Sequence, residues 1–290
     1  MDERRVGAPF PGYPLPDPGF LVHAGIPPID GIIACVGQRF VALGFLRRPA
    51  PLAELHRHLP EESMALNEHY TNAVSRAFYT PDAETQDAYH QLIAFIAGHL
   101  IPWDFLFQAQ PIIRFHFPVP FPEAMRTATG RPRQIHSDIL GGHPARMVQG
   151  WAALTDCTGT AALQCSSREA GLALLARYRN ALGPGDPPFE DSLHHFYAAW
   201  DTAPGFGAAV EAACQPVPMH AGDLLLLDPH CLHGGTENRE DATRVSLDFR
   251  ILPAAQEGAV LANAATPTAR RFRRGDLFSG ATARDLNLPA

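Results

Sequence analysis

The sequence predicts one mainly β domain, a barrel or sandwich carrying helices on its outside, and three observations predict it. From about residue 111 onward short β-prone runs alternate with turn residues: PIIRFHFPVP, RMVQGWAALT, TAALQC, DLLLLD and TRVSLDFRIL. Ahead of them, from about 51 to 101, the signals are helical. Neither an internal repeat nor an interdomain linker interrupts the 290 residues, and a chain of that length can bury about 75% of its unfolded surface in one core.

Taken in order, residues 1–50 read as a Pro-rich arm followed by early strands, because prolines and glycines crowd the first 30 positions and disfavour regular structure. Residues 51–110 read as helical support. There Thr80-Pro81-Asp82 resembles an N-cap followed by proline at the first helical position, and Tyr89, Leu92, Ile96 and Leu100 recur at helical spacing. Residues 111–252 form the β core with the site. Two helical inserts, REAGLALLARYRN (168–180) and EDSLHHFYAAW (190–200), separate TAALQC from DLLLLD, so the strands do not make a simple meander. Residues 253–290 are a C-terminal extension, and they or the arm are candidates for a lid or a homodimer contact.

Composition excludes several classes of function. The formal charge is −7 with a pI near 6.0, and no run of Lys or Arg is long enough to track a phosphate backbone, so no nucleic-acid partner is expected. The short RRFRRGD segment near the C-terminus reads as a solvated tail. The first residues lack the apolar core and cleavage site of a signal peptide, and no stretch reaches about 18 apolar residues. No membrane association and a cytoplasmic location are therefore expected. The five cysteines are scattered without a C-x-x-C pair, which suits reduced thiols and supports neither a disulfide framework nor a structural zinc site.

The chemistry concentrates in two places. In QIHSDILGGH, His136 and Asp138 are two residues apart, which in β geometry projects both to one side. A lone His-x-Asp is common, so it needs support from elsewhere. HAGDLLLLDPHCLHGGTENREDATRVSLDFRIL supplies it: the apolar run Leu224 to Leu227 ends near His230 and His233, and a later strand presents Arg244, Ser246, Asp248 and Arg250 on one face with Val245, Leu247, Phe249 and Ile251 on the other. His233 is preferred to His230 as the distal ligand because Gly234-Gly235 follows it and Arg244 comes 11 positions later. Two histidines and one carboxylate make the facial triad of non-haem Fe(II) oxygenases, with three positions left open. Upstream, Arg114 on PIIRFHFP could hold a carboxylate of cosubstrate or substrate, and His116 lies two residues on, on the same face. His194-His195 sits in a helical insert without a carboxylate at ligand spacing and reads as surface.

The H-x-D…H…R pattern, the HGG-T-E-N segment and the R-x-S strand resemble Fe(II)/2-oxoglutarate-dependent oxygenases, in particular the phytanoyl-CoA dioxygenase-like branch and its small bacterial members in natural-product and aminoglycoside clusters. The resemblance covers roughly residues 111–252. It implies a double-stranded β-helix (jelly-roll, cupin-like) barrel, Fe(II) held by His136, Asp138 and His233, and 2-oxoglutarate and O2 as cosubstrates. It implies that Arg244 pairs with the far carboxylate of 2-oxoglutarate, assisted by Ser246, with Gln149 and Thr236 as further cosubstrate contacts and Asn238 at a position where the branch often has asparagine. Gly235 departs from the usual H-G-S, so a serine contact there is absent or supplied by Thr236. Arg114, His116, Trp151 and Arg250 are candidates for substrate or cosubstrate. Related halogenases carry a small residue where Asp138 stands, so the resemblance favours hydroxylation of a C–H bond of a small molecule over halogenation. Two other readings stay open: a cupin-type metal isomerase or dioxygenase that uses no 2-oxoglutarate, and an inactive binding protein on the same scaffold. Whether the substrate is a carboxylate such as an amino acid or an amino sugar is also open.

Overall fold

The computed structural model of the chain describes residues 15–67, 71–123, 126, 134–253 and 278–282. The first part of the arm, most of the C-terminal extension and the RRFRRGD segment lie outside the described residues. The strands are β1 (Phe20–His23), β2 (Phe105–Gln108), β3 (Ile112–His116), β4 (Val148–Ala153), β5 (Leu163–Cys165), β6 (Gln215–Val217), β7 (Leu224–Leu227), β8 (His233–Gly234), β9 (Arg244–Pro253) and β10 (Phe278–Thr282). The helices are α1 (Pro27–Ala42), α2 (Glu61–Met64), α3 (Ala73–Ala77), α4 (Ala83–His99), α5 (Arg168–Ala181), α6 (Leu193–Thr202) and α7 (Phe206–Ala213).

Two antiparallel sheets result. The larger runs β1-β7-β4-β9-β2-β10, with β3 also paired to β9, and the smaller runs β6-β5-β8. Among the described residues the strands form these two sheets and not one closed hydrogen-bonded ring. Strand β9 is the axis of the larger sheet: β4 lies along one edge of it, and β3 and β2 share the other, β3 beside residues 244–248 and β2 beside 251–253.

Alternation along each strand decides what covers each face. The outer face of the larger sheet offers Val148, Ala152, Leu224, Leu226, Val245, Leu247, Phe249 and Ile251, and these form one core with Ile29, Ile32, Val36 and Phe40 of α1 and Tyr89, Leu92, Ile93 and Ile96 of α4. Gly150 belongs to this face for a steric reason. A Cβ there would meet the Phe249 ring at 2.1 Å, so the absent side chain is what lets the ring lie across β4. The opposite face turns toward the smaller sheet, where Trp151, Ala153, Leu225 and Leu227 pack with Leu163, Cys165 and Val217. A third core, built by α5, α6 and α7, reaches Ile135, Leu140 and Leu232, the apolar neighbours of the His136 and His233 segments.

Several expectations need correction. Residues 27–42, read as part of the arm and early strands, form the 16-residue helix α1. Its Pro27 and Pro28 occupy the first turn, where a missing N–H costs no hydrogen bond. Helix α4 is capped by Asp82, whose carboxylate accepts from the Thr85 N–H at 2.8 Å, and not by Thr80 with Pro81 inside the helix. The sheet also starts before residue 111, since β2 lies in the stretch read as helical support.

Candidate metal centre

Two residues 97 apart in sequence build most of the centre by pairing as if they were in a sheet. His136 and His233 form an isolated antiparallel bridge: the His136 N–H donates to the His233 carbonyl at 2.9 Å and the His233 N–H donates back at 2.7 Å. Directly opposed residues point to the same face, so the two imidazoles stand side by side with centroids 4.8 Å apart. The bridge extends the smaller sheet past its edge strand β8. Gly234 makes the approach possible, because a Cβ there would come within 2.3 Å of the Gln134 carbonyl oxygen.

Asp138 joins them through the two-residue period. Ser137 is extended and turns away, its hydroxyl donating to the Pro229 carbonyl at 2.6 Å and accepting from the Ile139 N–H at 3.3 Å, which opens the short turn Asp138–Gly141. The ligand-capable atoms of His136, Asp138 and His233 all lie within 4.8 Å of one another. In each histidine Nδ1 is committed to a backbone carbonyl, His136 to Gln134 at 2.7 Å and His233 to Cys231 at 3.2 Å. Nε2 of both rings is thereby left as the coordinating atom.

The donor set fits a divalent metal. Asp138 Oδ2 is buried with no hydrogen-bond partner among the described residues, while Oδ1 faces Arg250 at 3.5 Å. Burial by itself would raise the Asp138 carboxyl, but Arg250, then His143, His136 and His233, hold it well below the usual carboxylate range. Burial, reinforced by His136 and opposed by Asp138, pushes His233 down to about 4. Both ligands therefore stand ready in the protonation state that a metal requires. His136 remains about 30% exposed, so the centre is open to solvent on its side.

The inner face of the larger sheet lies opposite this centre and carries the remaining candidates. On β9 they are Arg244, Ser246, Asp248 and Arg250, all buried. Arg250 donates to Gln108 Oε1 at 3.2 Å and so links β2 to Asp138. Arg114, opposite Ser246, pairs through Nε with Asp248, and its side chain is 46% exposed. Gln149, opposite Arg250, is buried, and its Oε1 has no partner among the described residues. Arg244 is buried and donates to the Ala161 carbonyl at 3.3 Å. Its guanidinium stands 5.9 Å from the centroid of Trp151, and among the described residues it has no carboxylate partner. Burial lowers its pKa, and nearby Arg114 adds to that against the opposing pull of Cys157 and Asp248.

No family model and no curated protein match the chain. Among solved structures it is similar to the non-heme alpha-ketoglutarate-dependent carbocyclase SnoK from nogalamycin biosynthesis, at 13% identity and TM-score 0.43 over 89% of this chain and 90% of that one. It is also similar to the epimerase SnoN in complex with Fe3+, alpha-ketoglutarate and nogalamycin RO, at 15% identity and TM-score 0.43 over 91% and 94% of the two chains. A third is EctD from S. alaskensis with bound Fe, at 13% and 0.37 over 81% and 73%. All three scores lie below 0.5, so the chain's own residues carry the functional reading.

The other expected residues are distributed as follows. His230 is bound to Asp228 at 2.8 Å and lies outside the three-residue cluster. The Thr236 hydroxyl donates to the Thr160 carbonyl at 3.0 Å, a contact that ties two loops together. Gly235 is nearer to Arg244, and a Cβ there would stand 3.3 Å from the guanidinium. Asn238 is a buried staple, donating to the carbonyls of His116 at 3.0 Å and Ala242 at 2.8 Å. Ser246 donates to Asp248 at 3.4 Å. His195 bonds Tyr178 and Asp186, away from the centre. Gln108 and His143, which face the centre through Arg250 and Asp138, were not singled out from sequence. The alternation in FLFQ, with Gln108 two positions beyond inward-facing Leu106, was the available signal for the first.

Proposed function

We propose that the chain is a non-haem Fe(II)/2-oxoglutarate-dependent dioxygenase of the phytanoyl-CoA dioxygenase-like branch, on a double-stranded β-helix core, that hydroxylates a C–H bond of a small molecule in natural-product biosynthesis. The observation that carries this reading is Arg244: a buried cation, without a carboxylate partner among the described residues, on the sheet face opposite two histidines and one carboxylate gathered at ligand distance. Burying an unpaired charge is costly, and an anionic ligand offsets that cost.

Iron(II), 2-oxoglutarate and O2 together supply oxidative decarboxylation to succinate and CO2, coupled to oxidation of a substrate C–H bond. The chain's residues do the rest. His136, Asp138 and His233 would hold the metal through two imidazole nitrogens and a carboxylate oxygen. Arg244 orients the cosubstrate by its far carboxylate, a planar fork meeting a planar anion. Gln149 offers a buried polar group on the same face, and the part-exposed Arg114 would meet substrate or cosubstrate. With Asp138 as the third protein ligand, a carboxylate would stand where a halogenase keeps a small residue to admit a halide, and this favours hydroxylation.

Succinate formed from 2-oxoglutarate with Fe(II), ascorbate and O2 tests this directly. The wild type releases succinate even without substrate, and Arg244→Ala abolishes the release at ordinary cosubstrate concentrations. Turnover of a substrate without 2-oxoglutarate would instead favour a cupin-type metal enzyme, for which Arg244 has no use.

A further inference from the structure

Directly beside Arg244 the inner face holds a buried imidazole whose two nitrogens have no hydrogen-bond partner among the described residues. His116 is the cross-strand neighbour of Arg244 in the β3–β9 register, so the two side chains leave the sheet on the same face as adjacent residues. Its backbone is fixed on both sides: the Asn238 amide donates to the His116 carbonyl at 3.0 Å, and the Asn72 amide donates to the preceding Phe115 carbonyl at 2.8 Å. The residue is 7% exposed, and its ring stands edge-on to Phe121, with centroids 5.7 Å apart. Among the described residues neither Nδ1 nor Nε2 has a hydrogen-bond partner.

A core histidine placed for packing would be expected to satisfy at least one nitrogen, since leaving a buried donor and acceptor unmade costs more than replacing the ring by an apolar side chain. Burial, and after it the Arg244 charge, holds the imidazole well below its ordinary pKa and therefore neutral. A neutral ring always keeps one N–H to donate. Arg244 spends one N–H on Ala161 and retains the rest of its fork. Two donors thus stand side by side, and the group that satisfies both is a carboxylate.

We propose that His116 is the second half of the cosubstrate clamp, donating an imidazole N–H to the far carboxylate of 2-oxoglutarate that Arg244 holds. The inference rests on the 2-oxoglutarate reading above and adds a donor from β3 that the H-x-D…H…R pattern does not contain. It also gives a reason for the orphaned ring: the site is built for a carboxylate, and the protein alone leaves it unsatisfied.

The test is an anaerobic titration of the Fe(II)-loaded protein with 2-oxoglutarate, followed by the visible absorption of the chelate. A parallel titration uses 2-oxobutyrate, which chelates through the same atoms and lacks the far carboxylate. His116→Leu should weaken 2-oxoglutarate about tenfold to a hundredfold, as expected for one hydrogen bond to a charged group. It should leave 2-oxobutyrate and Fe(II) binding unchanged and the thermal midpoint of the apo-protein equal or higher. His116→Gln, which keeps a donor, should recover much of the loss and serves also if the Leu variant folds poorly. Unchanged 2-oxoglutarate affinity in both variants overturns the clamp, as does equal weakening of the two oxo acids. If the wild type binds Fe(II) but forms no chelate with 2-oxoglutarate, the oxygenase reading itself falls and takes the clamp with it.

Discussion

Strand β9 has two faces that are equally buried and opposite in kind. Outward, Val245, Leu247, Phe249 and Ile251 are fully covered by α1 and α4; inward, Arg244, Ser246, Asp248 and Arg250 are covered almost as well and carry three charges. Burial is favourable for the first set, at roughly 25 cal/mol per Å² of apolar surface, and costly for the second unless each charge finds a partner. Asp248 has Arg114, and Arg250 has Gln108 and Asp138. Among the described residues Arg244 and its neighbour His116 lack such partners. The outer face holds the fold together, and in the function proposed above the inner face draws on that stability to keep an anion site ready.

Changes on the two faces should therefore fail differently. The largest expected effect is on the outer face. Phe249→Ala removes a fully buried ring that lies across Gly150 and should cost about 3–5 kcal/mol by chemical denaturation, while protein that remains folded still binds Fe(II). Loss of the metal site with little loss of stability would contradict this division. A smaller effect belongs to the inner face. Because the folded-state pKa of His116 lies below its ordinary 6.5, the unfolded chain takes up a proton that the folded chain refuses as pH falls below that value. Stability present above pH 6.5 is then lost on acidification, at about 1.4 kcal/mol per pH unit for one proton. His116→Leu should flatten the acid limb of the stability curve by that one-proton slope; an unchanged limb would mean that the ring is charged or solvated in the folded protein.

How much of this the sequence discloses follows from how local each feature is. The β runs, the two faces of β9 and helices α5 and α6 are local periodicities, and they stand in the structure near where alternation and helical spacing put them. Helix α1 was hidden by Pro27-Pro28, which read as an extended arm until their place in a first turn is known. Strand β2 was hidden because FLFQ is too short for its period to separate strand from helix. In the site, the spacing of His136 and Asp138 is local and legible. The bridge from His136 to His233, the link from Gln108 through Arg250 to Asp138, and the engagement of Thr236 with Thr160 all join residues distant in sequence. Tertiary pairing alone creates them.

The central claim is that His136, Asp138 and His233 are the metal ligands and that His230, three residues before His233, is not. Equilibrium binding of Fe(II) to the anaerobic apo-protein tests it most directly. One Fe(II) should bind per chain, and Asp138→Ala should weaken binding by more than the roughly 10–100-fold typical of losing a group behind the ligands, while His230→Ala leaves it unchanged. Wild-type affinity in Asp138→Ala, or a loss in His230→Ala as large as in His233→Ala, would contradict the account.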